Sequence, residues 1–412
     1  MRPPVAITFR DINNRKKDII KFARELVRIP TINPPGENYE KIVSVLEREC
    51  RKVGLVTKRI VLPPEELRKA GVSGGSKRIC LLARWNTKKK HTLHFNGHYD
   101  VVPVTSGWTV EPFKGIIKDA KLYGRGAEDM KGTIAAMIYA VSAVRASGIT
   151  PRVNIELSFT PDEEIGGNTG LGYVVKKGFI KPHYALSEGL FGNYVSCGNK
   201  GVLWLEIHIS GKSAHGSTPY KGINAFVGMN KLTNMLLKLK AEIEKRKTTL
   251  ATMDARDKFA TMVIGGALSG GTKTNIVPDY CSFTVDRRLL PEENTVLGKK
   301  EILAVVHKFI KDNPEFKVRV KTLMEESPVI TNPRSCLCKT MLDCVKEVVK
   351  KKVKLAITPG ATDLRFLIKR GIPAVGYNTA GLDRCHGDDE FVYIKSLLDT
   401  AKIYALLMLR LK

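Results

Sequence analysis

The chain of 412 residues lacks the long apolar runs and sequence repeats that mark membrane and fibrous proteins. No apolar segment follows the first basic residue, so we expect no secretory signal peptide. The most apolar helix that we predict, at 132–144, is far shorter than the roughly 20 residues that span a bilayer. With 43% hydrophobic and 26% charged residues, the composition is typical of a soluble globular protein with no membrane contact.

Paired cysteine motifs are also missing. The eight cysteines are scattered and include no CxxC pair. Cysteines distributed in this way, in a chain without a signal peptide, are typical of reduced thiols in the cytoplasm. Cys336, Cys338 and Cys344 offer a soft-metal site as an alternative, but we favour the interpretation as structural thiols. We therefore predict a cytoplasmic protein.

Acidic residues are scarce. The chain has 68 lysines and arginines against 41 aspartates and glutamates, which gives a formal net charge of +27. Such a charge can indicate contact with nucleic acid, an acidic membrane or an anionic substrate. The lysines are dispersed, however, apart from 88–90 and 350–352, and no stripe of basic and aromatic residues accompanies them. We interpret the charge as a solvated surface and expect no nucleic-acid partner.

The order of predicted elements indicates one domain interrupted by another. A chain of this length is too long for one ordinary core. Strands alternate with helices up to about residue 198 and again from about 325, which predicts an α/β domain with a mostly parallel, helix-covered sheet. Between 199 and 324, two strands and a helix occur twice, a pattern typical of a small α+β domain with an antiparallel sheet. We therefore predict a catalytic domain from 1–198 and 325–412, and an inserted lid domain that dimerises.

The residues from 95 to 103 form the centre of this prediction. A buried strand at 92–95 ends just before His98 and Asp100. On extended backbone, residues i and i+2 project to the same side. These two residues therefore either share a centre, or Asp100 holds the second ring nitrogen of His98, as metal-bound histidines usually require. A histidine that is simply satisfied by a neighbouring acid is the alternative.

Further ligands follow other predicted strands. In a helix-covered parallel sheet, ligands bind at the carboxyl ends of the strands. Two imidazoles with three carboxylates suit two zinc or cobalt ions bridged by one carboxylate, with room for a water that the metals activate. A glutamate pair offers one ligand and one spare base. A solvated glutamate pair and a helix-capping aspartate are the alternatives. The candidate ligands are His98, Asp129, Glu164, Glu188 and His386, and the spare base is Glu163.

The motifs around these residues resemble those of the zinc-dependent amidohydrolases that include acetylornithine deacetylase, succinyl-diaminopimelate desuccinylase, aminoacylase and glutamate carboxypeptidase. They occur in the family's order and extend over most of the chain. The matching motifs are GHYDVVP at 97–103, GRGAEDMKG at 124–132, DEEIGG at 162–167, GKSAHGSTP at 211–219, TNIVP at 274–278, DRRLLP at 286–291, GATD at 360–363 and CHGDDE at 385–390.

The resemblance implies a role for each candidate ligand. His98 and Glu188 are implied to bind one metal ion, Glu164 and His386 the other, and Asp129 to bridge the two. The implied ions are zinc, with cobalt as the alternative. A cis peptide bond is implied between Asp129 and the residue that follows it. The fold that the resemblance implies is that of the zinc peptidases.

Other residues are implied to act on the substrate. Asp100 is implied to orient His98, and Glu163 to be the general base. His215 is implied to stabilise the oxyanion, and in dimeric relatives the equivalent histidine comes from the partner subunit. A histidine in a turn is the alternative for His215, and an arginine that pairs with Asp286 is the alternative for Arg288. The residues implied to bind substrate, including its carboxylate, are Asn275, Arg288, Gly360 and Thr362.

These observations predict hydrolysis of the amide bond of an N-acyl amino acid with a free carboxylate. The alternative within the same class is a metallo-carboxypeptidase or dipeptidase acting on small peptides. Deacetylase and desuccinylase relatives commonly have Glu-Pro where this chain has Glu188 and Gly189, which is closer to aminoacylase and carboxypeptidase relatives. A cationic nucleic-acid-binding protein that has lost catalysis is disfavoured, because no ligand and no base is missing. We expect a homodimer.

Overall fold

The computed structural model describes residues 3–381 and 385–412. Short helical turns occur at Ala127–Lys131, Glu163–Ile165, Pro219–Lys221 and Ala255–Lys258. The α-helices are α1 (Pro3–Asn14), α2 (Lys16–Val27), α3 (Tyr39–Lys52), α4 (Pro64–Lys69), α5 (Gly132–Ala146), α6 (Leu171–Lys176), α7 (Ala225–Ile243), α8 (Thr295–Asp312), α9 (Cys336–Val349), α10 (Leu364–Ile368) and α11 (Ile394–Arg410).

The strands alternate with these helices in the first and last thirds of the chain. They are β1 (Val56–Val61), β2 (Ile79–Trp85), β3 (Thr92–His98), β4 (Ile116–Lys118), β5 (Lys121–Tyr123), β6 (Asn154–Thr160), β7 (Tyr184–Ser187), β8 (Tyr194–Asn199), β9 (Gly201–Ser210), β10 (Ala214–His215), β11 (Thr261–Gly270), β12 (Ile276–Val277), β13 (Tyr280–Leu289), β14 (Lys317–Glu326), β15 (Val329–Ile330), β16 (Lys354–Thr358), β17 (Ala374–Gly376) and β18 (Phe391–Tyr393).

The chain folds into two compact units. The first comprises Met1–Cys197, Thr331–Ala356 and Thr362–Lys412, and the second comprises Gly198–Ile330 and Ile357–Ala361. The first unit is therefore assembled from segments that are distant in sequence.

A large mixed sheet organises the first unit. Its strand order is β1-β2-β6-β3-β7-β17-β8, and β16 also pairs with β8. The pairs β6–β3, β3–β7 and β7–β17 are parallel, whereas β1–β2, β2–β6 and β17–β8 are antiparallel. The α/β fold class is confirmed, and its parallel strands form the centre of the sheet. This centre is where the carboxyl ends of strands converge.

Helices cover both faces of this sheet. Helix α5 is buried from Gly132 to Val144 and packs against α11 within the larger apolar core. Helices α6 and α10 contribute to a second cluster that includes Leu82 and Ala185. The apolar character of α5 thus reflects a place inside a globular core. Among the residues described here, no helix is long and apolar enough to cross a membrane.

The second unit contains the predicted antiparallel sheet, in the order β11-β13-β9-β14. Strand β9 alternates from Leu203 onward: Leu203, Leu205 and Ile207 are buried, whereas Trp204 and Glu206 are exposed or half-buried. The buried residues pack with α7 and α8, because a half-covered sheet places every second side chain in the core.

Candidate metal centre

Three neighbouring parallel strands bring the first candidate ligands together. His98 is the last residue of β3, and Glu188 directly follows β7. Glu163 and Glu164 lie in a helical turn shortly after β6. Since β6, β3 and β7 are adjacent and parallel, their carboxyl ends meet at one edge of the sheet.

Asp129 lies between two imidazoles. Its Oδ1 is 3.0 Å from Nε2 of His98, and its Oδ2 is 3.6 Å from Nε2 of His386. The same nitrogen of His98 is 3.4 Å from Oε2 of Glu188, and that of His386 is 3.0 Å from Oε2 of Glu164. The five residues therefore form two histidine–carboxylate pairs that share the carboxylate of Asp129.

The donor set fits transition-metal ions. Ligand atoms of His98, Glu163 and Glu188 lie within 4.8 Å of one another, and so do those of His98, Asp129 and Glu164. Mixed imidazole and carboxylate donors suit zinc or cobalt better than magnesium or calcium, which prefer oxygen alone. The geometry is thus that of a candidate centre for two ions.

The two histidines are held in the charged form when no metal competes. Hydrogen bonds to Asp129 and Glu164 raise the pKa of His386 to about 10. Burial would lower the pKa of His98, but hydrogen bonds to Asp100, Asp129 and Glu188 outweigh it and raise the pKa well above its usual value. Burial likewise opposes ionisation of Asp129, yet its hydrogen bonds with His386 and His98 hold its pKa low.

The remaining carboxyl groups are crowded and poorly solvated. Burial, reinforced by the Glu188 carboxylate, raises the pKa of Glu163 well above its usual value. Burial raises the pKa of Glu164 to about 7, despite its hydrogen bond with His386. Like charges in a buried site disfavour ionisation. Divalent cations would relieve this repulsion.

We expect metal binding to release protons at neutral pH. The raised pKa values of His98 and His386 mean that metal ions must displace protons from both rings. Apparent zinc or cobalt affinity should therefore rise with pH across the neutral range. Titration of metal-free protein with cobalt in weak buffer, followed by a pH indicator, measures the release. An unchanged pH on stoichiometric binding would contradict the predicted protonation.

Asp100 connects His98 to the two glutamates. Its carboxylate accepts hydrogen bonds from the backbone N–H groups of Glu163 and Glu164, both at 3.2 Å. Nδ1 of His98 lies 3.1 Å from the backbone oxygen of Asp100 and 3.5 Å from its Oδ1. The backbone carbonyl thus contributes to the orientation of His98 that was predicted for the carboxylate.

Glu390 supports the loop that carries Asp129, a role that the sequence analysis did not assign. Its carboxylate accepts hydrogen bonds from the N–H groups of Gly126, Glu128 and Asp129 at 2.9–3.1 Å, and from Nη1 of Arg125 at 2.7 Å. The predicted cis peptide bond between Asp129 and the next residue is confirmed. Glu390 is the last residue of the CHGDDE motif at 385–390, and its place in that motif was the sequence signal that could have identified it.

Asp363 is a second residue that was not assigned. Its backbone N–H donates to Oε1 of Glu188 at 2.8 Å, and Nδ2 of Asn96 donates to its carboxylate at 3.1 Å. Burial, with the Glu188 carboxylate as the next cause, raises the pKa of Asp363 to about 7. Asp363 is the last residue of the GATD motif, so the sequence indicated that this position matters but not what it contacts.

The predicted oxyanion histidine lies in the second unit. His215 ends β10, which pairs with β12, and the N–H of Gly216 donates to the backbone oxygen of Asn275 at 2.7 Å. Nδ1 of His215 accepts a hydrogen bond from the N–H of Ser217 at 3.1 Å. The neutral ring therefore carries its proton on Nε2, where it can be donated.

The other predicted substrate residues have distinct surroundings. Arg288 forms an ion pair with Asp286 at 3.0 Å and lies over the ring of Trp204, so the pairing considered as an alternative is present. The backbone oxygen of Gly360 accepts a hydrogen bond from Oγ1 of Thr358. Within the described residues, the buried Oγ1 of Thr362 has no hydrogen-bond partner.

Gly189 has a packing reason to be glycine. A Cβ at this position would lie 2.6 Å from the backbone of Gly376 on the neighbouring β17. The departure from Glu-Pro therefore coincides with a close contact between two chain segments beside Glu188.

A cluster of paired histidines and carboxylates at the carboxyl end of an α/β sheet is typical of a metal-dependent hydrolase. The model of peptidase family M20/M25/M40 matches residues 94–410, and the chain belongs to this family. The resemblance inferred from the motifs is thereby confirmed.

Relatives with similar sequences include an aminoacylase, a desuccinylase and a metallohydrolase. Aminoacylase-1 of Sus scrofa is 27% identical over 94% of this chain and 94% of its own length. Succinyl-diaminopimelate desuccinylase of Wolinella succinogenes is 29% identical over 72% of this chain and 78% of its own. An uncharacterized metallohydrolase of Methanocaldococcus jannaschii is 28% identical over 94% of this chain and 98% of its own length.

Solved structures share the fold. The metallo-carboxypeptidase Sso-CP2 of Sulfolobus solfataricus superposes with a TM-score of 0.72 at 21% identity, covering 95% of this chain and 98% of that one. Human carnosine dipeptidase 1 superposes with a TM-score of 0.74 at 18% identity, covering 98% of both chains.

Proposed function

We propose that this protein is a two-metal hydrolase that cleaves the amide bond of N-acyl amino acids bearing a free carboxylate. The observation that carries the proposal is the position of Asp129, whose two oxygens face different imidazoles, each of which also contacts another carboxylate. The relatives named for acyl-group removal favour this substrate class over peptides.

The site residues divide the chemical work. When bound, two zinc ions, with cobalt as the alternative, would lower the pKa of water and polarise the scissile carbonyl. His98, Asp129, Glu164, Glu188 and His386 would hold them. Glu163 takes a proton from water at its carboxylate and later donates it to the leaving amine.

Residues outside the metal-ligand set contribute binding groups to this proposal. His215 offers an Nε2–H donor for the developing oxyanion. Arg288 supplies a guanidinium fork for the substrate carboxylate, with Asn275, Gly360 and Thr362 as further contacts. The unpartnered hydroxyl of Thr362 is consistent with a contact that substrate completes.

A substrate panel tests the proposal. Purified protein loaded with zinc is incubated with acetyl-, succinyl- and glutamyl-amino acids and with di- and tripeptides, and the released amino acid is quantified. Faster release from an N-acyl amino acid than from any peptide is the expected result. Preference for a peptide would establish the carboxypeptidase or dipeptidase alternative, and no release from any amide would refute the proposal.

Replacing Arg288 by Ala is expected to raise KM for carboxylate-bearing substrates more than it lowers kcat. A charge-assisted hydrogen bond to a carboxylate contributes about 1.5–3 kcal/mol, or roughly 10- to 150-fold in binding. Arg319→Ala, which removes an exposed arginine from β14 of the same sheet, is the matched control. Steady-state kinetics on both variants measures the effect. Equal KM values in the two variants would assign Arg288 to its ion pair with Asp286.

We further propose that 199–324 acts as a lid that joins two copies of the chain into a homodimer, beside a catalytic domain of 1–198 and 325–412. Exposed apolar side chains of α7 and its preceding turn, at Tyr220, Phe226 and Leu237, support an apolar contact. Light scattering of the purified protein tests the dimer.

A cytoplasmic location agrees with the absence of a disulfide between the cysteines that the structure describes.

A further inference from the structure

A buried polar network lies directly behind the metal centre. It consists of Asn33, Tyr39, Arg78, Asp100 and Asp162, and each of these side chains is at most 1% exposed. Of these, only Asp100 was assigned a role from the sequence. Burying two carboxylates and one guanidinium is unfavourable unless their hydrogen bonds are satisfied, so each contact in the network matters.

The side-chain amide of Asn33 links the two carboxylates. Its Nδ2 donates to Oδ2 of Asp100 at 2.9 Å and to Oδ1 of Asp162 at 3.0 Å. These two acceptor oxygens therefore lie within about 6 Å of each other, a separation at which like charges repel. Within the described residues, Oδ1 of Asn33 has no partner. Both N–H groups of the amide thus donate to carboxylates, whereas the amide oxygen is left without a hydrogen bond, which is unfavourable.

One end of the network fixes the turn that leads to the glutamates. Asp162 accepts hydrogen bonds from Nε of Arg78 at 3.1 Å, from the hydroxyl of Tyr39 at 3.1 Å and from that of Thr169 at 2.5 Å. Its φ of 65° lies in the left-handed region, which aspartate tolerates better than most residues. Because Asp162 directly precedes Glu163, the hydrogen bonds that fix the Asp162 side chain also fix the backbone position of Glu163.

Arg78 extends the same anchoring to two loops. Its terminal nitrogens donate to the backbone oxygens of Pro35, Gly74 and Ser76 at 2.6–2.9 Å. The loop that carries Asn33 and the loop that precedes β2 are thereby attached to one guanidinium. A side chain with so many backbone contacts holds Asp162 rigidly.

The other end of the network reaches the metal ligands. Asp100 receives the N–H groups of Glu163 and Glu164, and its carboxylate lies 3.5 Å from Nδ1 of His98. A displacement of Asp100 therefore moves an imidazole ligand, a carboxylate ligand and the candidate base together.

From this geometry we propose that Asn33 is a positioning residue of the metal centre: its amide holds Asp100 and Asp162 together, and through them places His98, Glu163 and Glu164. The effect on catalysis rests on the proposed function, whereas the effect on metal binding does not. Partners that orient metal ligands typically affect metal affinity or activity by about 10- to 100-fold.

The test uses Asn33→Asp, which has nearly the same shape but replaces the bridging donor by a third carboxylate. Cobalt affinity, measured by titration of the full-length metal-free variant, should fall about 10- to 100-fold. The visible absorption spectrum of the cobalt-loaded protein should change, because the ligands move. With an N-acyl amino acid that the wild type hydrolyses, kcat should fall while KM changes little. Asn33→Ala, which removes the donor without adding charge, should show the same changes.

Asn199→Asp is the matched control. Asn199 is 1% exposed, its Nδ2 donates to the backbone oxygen of Lys200, and its Oδ1 also has no partner among the described residues. The substitution therefore buries the same new charge outside the network. It should lower the melting temperature and leave the cobalt affinity and spectrum unchanged.

The outcomes separate this proposal from the proposed function. Wild-type cobalt affinity and spectrum in both Asn33 variants would overturn the positioning role, as would losses that merely follow melting temperature in the Asn33 and Asn199 variants alike. If both Asn33 variants fail to fold, Tyr39→Phe, which removes one hydrogen bond to Asp162, replaces them under the same criteria. A wild type that binds cobalt but hydrolyses no amide refutes only the proposed function, since the cobalt comparison still decides the role of Asn33.

Discussion

Removal of bound metal with a chelator is expected to reduce amide hydrolysis to background, and zinc or cobalt to restore it. Without a cation, the site holds two charged imidazoles against crowded carboxyl groups and has no group that lowers the pKa of water to the neutral range. The measurement is the initial rate of amino-acid release before chelation, after dialysis and after addition of each metal, with metal content determined by mass spectrometry.

Magnesium provides a control for this experiment. It prefers six oxygen ligands in octahedral geometry and dehydrates reluctantly, which the two imidazoles of His98 and His386 do not match. Magnesium should therefore restore much less activity than zinc or cobalt. Full activity in a preparation that is demonstrably free of metal would remove the basis of the proposed function.

Changing Glu163 to Ala is expected to lower kcat by about 10²- to 10⁴-fold, the usual contribution of a general acid–base residue, while two metal ions remain bound. The reason is that the substitution removes a proton acceptor and leaves the five proposed ligands in place. Single-turnover kinetics and metal analysis on the same sample distinguish a failure of chemistry from a failure of metal binding.

Glu164→Ala is the matched variant, because the two glutamates are adjacent and both are half-buried beside the cluster. Glu164 contacts His386 at 3.0 Å, so its removal should cost metal as well as activity. If Glu163→Ala instead lost metal while Glu164→Ala kept two ions, the two roles would have to be exchanged.

The sequence by itself determined the fold class and the identity of the ligand candidates. Strands ending in short polar motifs place ligands where parallel strands terminate, and this rule predicts His98, Glu164 and Glu188 as ligands. The apolar run at 132–144 also located helix α5, which extends from Gly132 to Ala146, nearly to the residue. These features depend on near neighbours in the chain, which is why they are readable from it.

The tertiary structure decided what depends on contacts between distant segments. The N-terminal helix α1 and the strand β8 were not predicted, and the outer strands of the main sheet proved antiparallel. Strand direction follows from how the chain returns to the sheet, which local pattern does not record.

The supporting residues of the site belong to the same category. Asn33 meets Asp100 and Asp162 across 67 and 129 residues of sequence, and Glu390 reaches Gly126 across 264. In the sequence they are ordinary polar residues. They acquire their roles when folding removes them from water, because buried polar groups need hydrogen-bond partners within the protein. The candidate ligands could therefore be identified from the motifs, whereas the contacts that hold them in place depend on the tertiary fold.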